Sequence, residues 1–154
     1  KGPDLLCDYL ERFYAATSLG GAEVALPCSV RPNTSNLHVI LGGWRRQYVI
    51  ARLEAAHIAY SYFERPSQAV INELYQCCDI IPCTSRHEGG PQSLIEAGLL
   101  GISVISRPVG IAEVVLPSYA IADDVFDAIP AVPYVDALRL PGGYEPYRKL
   151  LLSL

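Results

Sequence analysis

Four short apolar runs, each leading into a helical stripe, limit what this chain can fold into more than any other feature. Leu37-His-Val-Ile-Leu41 reads as a buried strand that turns at Gly42-Gly43. A helix over Arg45–Ala56 follows, with Val49, Ile50 and Leu53 at helical spacing. His57–Phe63 alternates as a second strand, and Ser67 suits the N-cap of a helix carrying Val70, Ile71, Leu74 and Tyr75. Asp79-Ile-Ile-Pro82 is a third strand and Ile102–Ser106 a fourth, with a helix between them. Pro108 and Gly110 turn into a short helix, Ile111–Leu116. Ahead of all these, Asp4–Thr17 places Leu6, Leu10 and Phe13 on one helical face and stops at Ser18-Leu-Gly-Gly21. Apolar strands alternating with helices predict a parallel sheet covered on both faces, an α/β, Rossmann-like domain.

Two stretches carry a weaker pattern. Residues 18–36 read as loop, with a short strand at Ala22–Leu26. Beyond Leu116, Ala122–Ile129 reads as a helix, Pro130, Pro133, Pro141 and Gly142-Gly143 as irregular chain, and Glu145–Leu154 as a closing helix.

Composition narrows the function classes. The 154 residues make one domain, and they are 51% hydrophobic and 18% charged, enough for a substantial core. With mean hydropathy +0.22, part of that excess is expected to form a face for a partner domain. A net charge of −4 without a basic run argues against nucleic acid and against a polybasic membrane patch. No apolar run approaches the roughly 18 residues that span a bilayer. The five cysteines are odd in number and form no C-x-x-C, and the histidines lack metal-ligand spacing. Most of the cysteines are therefore expected to be buried thiols of a cytoplasmic protein, with no metal site. Asn33-Thr34-Ser35 fits a glycosylation acceptor and reads as loop. The chain contains no Met, which suggests a fragment of a longer protein.

The chemistry concentrates in Ser85–Gly101, where Glu88 and Glu96 bracket Gly89-Gly90-Pro91-Gln92-Ser93. Gly89-Gly90 can turn sharply, and Pro91 suits the first position of a helix whose stripe is Leu94, Ala97, Leu100 and Gly101. Glu88 then sits at the mouth of that helix. Glu96, in its second turn, leans back towards the loop, because helical side chains tilt N-terminally. Between the two carboxylates lie the free N–H groups of Gly90, Gln92 and Ser93, which with the helix dipole favour phosphate. A carboxylate accepts two hydroxyl protons at once, which suits a sugar diol. Phosphate and sugar together point to a nucleotide-sugar. There is no G-x-G-x-x-G and no P-loop, so a plain dinucleotide or nucleoside triphosphate is not expected.

Glu88-Gly-Gly-Pro-Gln-Ser-Leu-Ile-Glu96-Ala, Gly101-Ile-Ser-Val-Ile105 and Val109-Gly110-Ile-Ala-Glu113-Val-Val resemble the C-terminal, donor-binding half of retaining GT-B glycosyltransferases of the group 1 family, with its E-x7-E signature. Lys1-Gly-Pro-Asp-Leu-Leu6 resembles that family's K-G-x-D-x-L-L. The likeness covers residues 1–6 and 37–116. Gly98 stands where the family usually has Met, Leu99-Leu100 where it has a small residue, and Ser103 where it has Pro.

The resemblance implies roles. Glu88 meets hydroxyls of the donor sugar near its anomeric carbon and is the catalytic candidate. Glu96 holds the ribose. Gly89, Gly90, Pro91, Gln92 and Ser93 offer backbone to sugar and phosphate, and Lys1 meets the diphosphate. The backbone of Ser61–Glu64 is where the family contacts the base, His87 is a rim residue, and Arg45 and Arg46 face phosphate or solvent. A family strand bearing glycine and arginine precedes the lysine and lies centrally in the sheet. Residues 1–154 would thus be a donor-binding domain lacking that strand and the N-terminal acceptor domain. The implied parent enzyme takes a nucleotide-diphosphate-sugar as substrate and needs no cofactor. The chain has no Asp-x-Asp for a divalent metal. The parent passes the sugar to an acceptor sugar or lipid and is cytoplasmic, with peripheral membrane association compatible with a lipid acceptor. The same residues also fit a non-catalytic nucleotide-binding or interaction module of this fold, or a GT-B-type sugar epimerase or phosphorylase.

Overall fold

The computed structural model describes residues 2–18, 37–139, 149 and 152. The readings for Lys1, the loop over 19–36 and the closing helix of 145–154 lie outside that set, apart from the single helical positions 149 and 152. The architecture is mixed α/β. Its elements run α1 (Pro3–Ser18), β1 (His38–Gly42), α2 (Gln47–Ala55), β2 (Ala59–Phe63), α3 (Gln68–Gln76), β3 (Ile80–Cys83), α4 (Gln92–Leu100), β4 (Ser103–Ser106) and α5 (Ala112–Val115). Single 3-10 turns follow at Ser118–Ala120, Val125–Asp127 and Val135–Leu138.

Every paired strand is parallel to its partner, as the alternation with helices predicts. Among the described residues, however, pairing is confined to two separate couples. β1 lies beside β2, with Val39 opposite Tyr60 and Leu41 opposite Tyr62. β3 lies beside β4, with Ile81 opposite Val104. Each couple is one strand–helix–strand unit, whereas β1 and β3 share no ladder. One continuous sheet is thus not what forms among these residues. Lone bridges add Ile121 beside Ser106 and Ala131 beside Val104.

Left-handed backbone moves three boundaries. Arg45 (φ 59°) delays α2 to Gln47, and His57 (φ 55°) delays β2 to Ala59. Gly101 (φ 73°) ends α4, an αL stop that glycine takes without steric cost. Ser67 does cap α3, its hydroxyl accepting the Val70 N–H at 3.4 Å. Pro91 is the N-cap of α4 rather than its first helical residue: its ψ of 112° is extended, as an N-cap requires. Leu94 and Ala97 are buried, but Leu100 is 41% exposed, so the predicted stripe stops a turn early. The helix expected over 122–129 is a single 3-10 turn. The Asp124 carboxylate takes the Phe126 N–H at 3.1 Å, and the Ala122 N–H is committed to the Ser106 carbonyl at 3.0 Å, so no longer helix can propagate.

Two apolar clusters hold the fold. In the first, Cys7, Tyr9 and Leu10 of α1 meet Val39 and Leu41 of β1 and Val49 and Leu53 of α2, joined by Ile105 of β4. In the second, Leu94 and Ala97 of α4 meet Cys83, Val104, Ala112 and Val115. Leu53 and Leu94 are both wholly buried, each contributing roughly 1.5–3 kcal/mol by transfer. Of the described cysteines, Cys7 and Cys83 are buried as expected, Cys78 is half-buried and Cys77 is exposed. Among the described residues no helix is long and apolar enough to cross a membrane.

Candidate functional site

The loop that leaves β3 is tied to the start of α1. Thr84, itself buried, donates its hydroxyl to the Gly2 carbonyl at 3.0 Å. A Cβ on Gly2 would fall 2.3 Å from the Thr84 carbonyl, so only glycine fits beside this strand end. The Arg86 guanidinium then forks onto both oxygens of Asp4, one contact measuring 2.7 Å. That bidentate bond holds the Asp4 carboxyl well below the usual carboxylate range and raises Arg86 in turn.

The loop that leaves β4 closes against it. The Arg107 N–H donates to the Cys83 carbonyl at 3.0 Å, and the Val109 N–H turns back on the Arg107 carbonyl at 2.8 Å. Gly110 follows in left-handed conformation at φ 53°. A Cβ there would lie 2.6 Å from the carbonyl oxygens of both Glu88 and Gly89. Conformation and crowding therefore both require glycine, and the two loops meet backbone to backbone. Between them lies an open recess of about 380 Å³, lined by residues 86–89 and 108–110. That volume is within the range of small-molecule sites, although its openness leaves much of any occupant in water.

Glu88 and Gly89 line the recess with Arg86 and His87, so His87 does stand at a rim. Gly90 and Pro91 carry the chain from it into α4, whose first turn has no side-chain cap and is closed by the Leu94 N–H on the Pro91 carbonyl at 3.1 Å. Gln92 and Ser93 are the first two helical residues, positions whose N–H groups have no intrahelical acceptor. The chain does bend at Gly89, although neither Gly89 nor Gly90 is left-handed. A Cβ on either would meet nothing within 4 Å.

Glu96 is set apart from the recess. It is half-buried on α4, with its carboxylate near enough to Tyr75 of α3 to act on that phenol. Burial first, and that carboxylate second, push the Tyr75 phenol up. The structure therefore joins Glu88 to Gly89 in the recess but does not bring Glu96 into its lining. Sequence reasoning missed Arg86, Thr84, Tyr75 and the clamping role of Gly110. Only Gly110 left a signal, a glycine two residues after a proline at a strand end.

Compared with known proteins, the chain matches no family model, and no curated protein or solved structure is significantly similar to it.

Proposed function

We propose that this chain is the donor-binding domain of a retaining GT-B glycosyltransferase, with the nucleotide-sugar lying across Glu88–Ser93. The observation that carries the reading is Gly89-Gly90: neither is left-handed, and neither is crowded where a side chain would stand. Folding places no demand for glycine here, whereas a ligand approaching the backbone closely does. The bare first turn of α4 beside them supplies N–H groups for a diphosphate and can stabilise it as it leaves. Glu88 at the recess suits the sugar hydroxyls. Glu96 suits a ribose diol, since a carboxylate has about four acceptor positions.

The fragment reading draws support from the strand pairing. In the related fold the strand ahead of Lys1 is central. Here two parallel couples share one apolar cluster beneath α1, and Gly2 meets Thr84 just past β3. A strand laid between β1 and β3 and running into Gly2 would join them into the single sheet of a Rossmann-like half.

Calorimetry of the 154-residue chain with nucleoside diphosphates tests the donor site. Binding is expected, and Glu96→Ala should weaken it by about 1–3 kcal/mol, the range for charged hydrogen bonds. Equal affinity of the variant and the native chain would remove Glu96 from the site. No sugar transfer is expected from this chain alone, since a GT-B site needs its second wall. The parent enzyme should keep its activity in excess EDTA.

A further inference from the structure

Five of the described arginines have carboxylate partners: Arg12 with Asp124, Arg52 with Asp8 and Glu11, Arg86 with Asp4, Arg107 with Asp123 and Arg139 with Asp136. The other three, Arg45, Arg46 and Arg65, form no ion pair among the described residues, and all three stand at one place. That place is the carboxyl ends of β1 and β2, where the Gly43 N–H donates to the Phe63 carbonyl at 3.1 Å. The Arg45 guanidinium lies 4.0 Å from the centroid of the Trp44 ring and that of Arg65 lies 4.7 Å from it. Arg46 donates to the Gly42 carbonyl at 3.0 Å. Its guanidinium packs on Gly43, where a Cβ would be 2.9 Å from it. Of the aromatic residues at this rim, Trp44 is 51% exposed and Phe63 36%.

In a chain with 16 acidic and 12 basic residues, three guanidiniums with no ion pair among the described residues, two of them over one half-exposed indole, are an unusual concentration. Tryptophan, tyrosine and arginine are also the residues that anchor protein interfaces. The occupant can be narrowed by chemistry. Small molecules bind where concave walls cover most of their surface, and side chains this exposed do not provide that. Three arginines neutralise too few phosphates for nucleic acid on a chain of net charge −4. We propose that the rim of Trp44, Arg45, Arg46, Phe63 and Arg65 docks an acidic segment of a partner protein, with carboxylates on the guanidiniums and an apolar side chain against the indole.

Trp44 is the chain's single tryptophan, so its emission reports on this rim directly. The intact chain is titrated with a glutamate-rich peptide that has a central leucine and no aromatic residue. Its lysine-rich counterpart and inorganic diphosphate serve as the other arms. A saturable blue shift with reduced acrylamide quenching is expected for the acidic peptide alone, and added salt should weaken it. The double variant R45Q/R65Q should bind about tenfold more weakly, as charge-assisted hydrogen bonds are lost. Should that variant fold poorly by circular dichroism, the salt series on the native chain decides. No response to the acidic peptide, an equal response to the basic one, or a diphosphate response as strong as the peptide's would overturn the proposal.

Discussion

Around β1 and β2, long polar side chains do much of the joining. Arg52 reaches from α2 to both oxygens of Glu11, each at 2.7 Å, and to Asp8 at 2.9 Å, fastening α2 to α1 over the apolar cluster. Around β3 and β4, beside the Thr84, Arg86 and Arg107 contacts, part of the joining is done by missing side chains. Gly110 lets the Val109–Gly110 turn rest on the Glu88 and Gly89 carbonyls, and Gly98 lets the chain at Pro133 cross α4. A Cβ on Gly98 would fall 2.5 Å from Val135 and 2.7 Å from the Pro133 carbonyl. This explains a glycine that costs about 1 kcal/mol relative to alanine in a helix interior. The difference matters for function. Side-chain staples hold elements at arm's length and tolerate a bare, charged rim above them. Backbone contact brings two loops close enough to frame a recess.

The most damaging test of that division is to hollow out each half. Leu53→Ala and Leu94→Ala remove wholly buried side chains from the first and second clusters, and each should cost about 3 kcal/mol. Because Ile105 of β4 packs into the cluster of β1, one cooperative transition is expected to move in both variants. A biphasic urea curve in which each substitution moves a different phase would show two independent halves.

A smaller effect, about 2 kcal/mol, is expected from Gly110→Ala, where left-handed strain and a blocked Cβ combine. Gly89→Ala makes the same chemical change where nothing lies within 4 Å and should leave stability within about 0.5 kcal/mol or raise it slightly. Equal losses from the two would mean that the loops are crowded alike and that the open glycines have no special standing.

The mildest effect is on the acid limb. Asp4 and Asp124 both lie below their ordinary pKa, held there by hydrogen bonds from Arg86 and Arg12 respectively. A depressed carboxylate contributes stability that is present above its unfolded value, about 4, and is lost as pH falls through the folded value. Thermal midpoints should therefore drop as pH falls below about 4, and Asp4→Asn should flatten that slope. An unchanged slope would show that the Arg86 fork does not bear on stability. Both pairs are partly exposed, so added salt should shrink the effect.

Strand–helix alternation made most elements readable, because a period of two or 3.6 in apolar residues is local information. Boundaries failed where the backbone turned left-handed at residues that rarely do so, Arg45 and His57, since no composition rule marks them. Ala122–Ile129 failed for another reason: its helical spacing was real, but Ser106 and Asp124 took the N–H groups a helix would have needed. At the site, Glu88 and its glycines were readable as a motif. The Tyr75–Glu96 and Arg86–Asp4 contacts were not, because they join residues on different elements, the latter 82 positions apart.

That distance also sets an order in time. Gly2 and Asp4 are bound to Thr84 and Arg86, each pair 82 residues apart in the chain. During synthesis α1 emerges long before its anchors exist, a wait on the order of 10 s at ~5–20 residues per second. Until β3 is made, the helix has only part of its packing, and closing so long a segment is among the slower steps in folding. The wall of the recess that carries Arg86 therefore cannot be fastened as its own residues appear. A helix made well before β3 is thus secured only after it, so a nascent chain stopped short of Thr84 would have no recess.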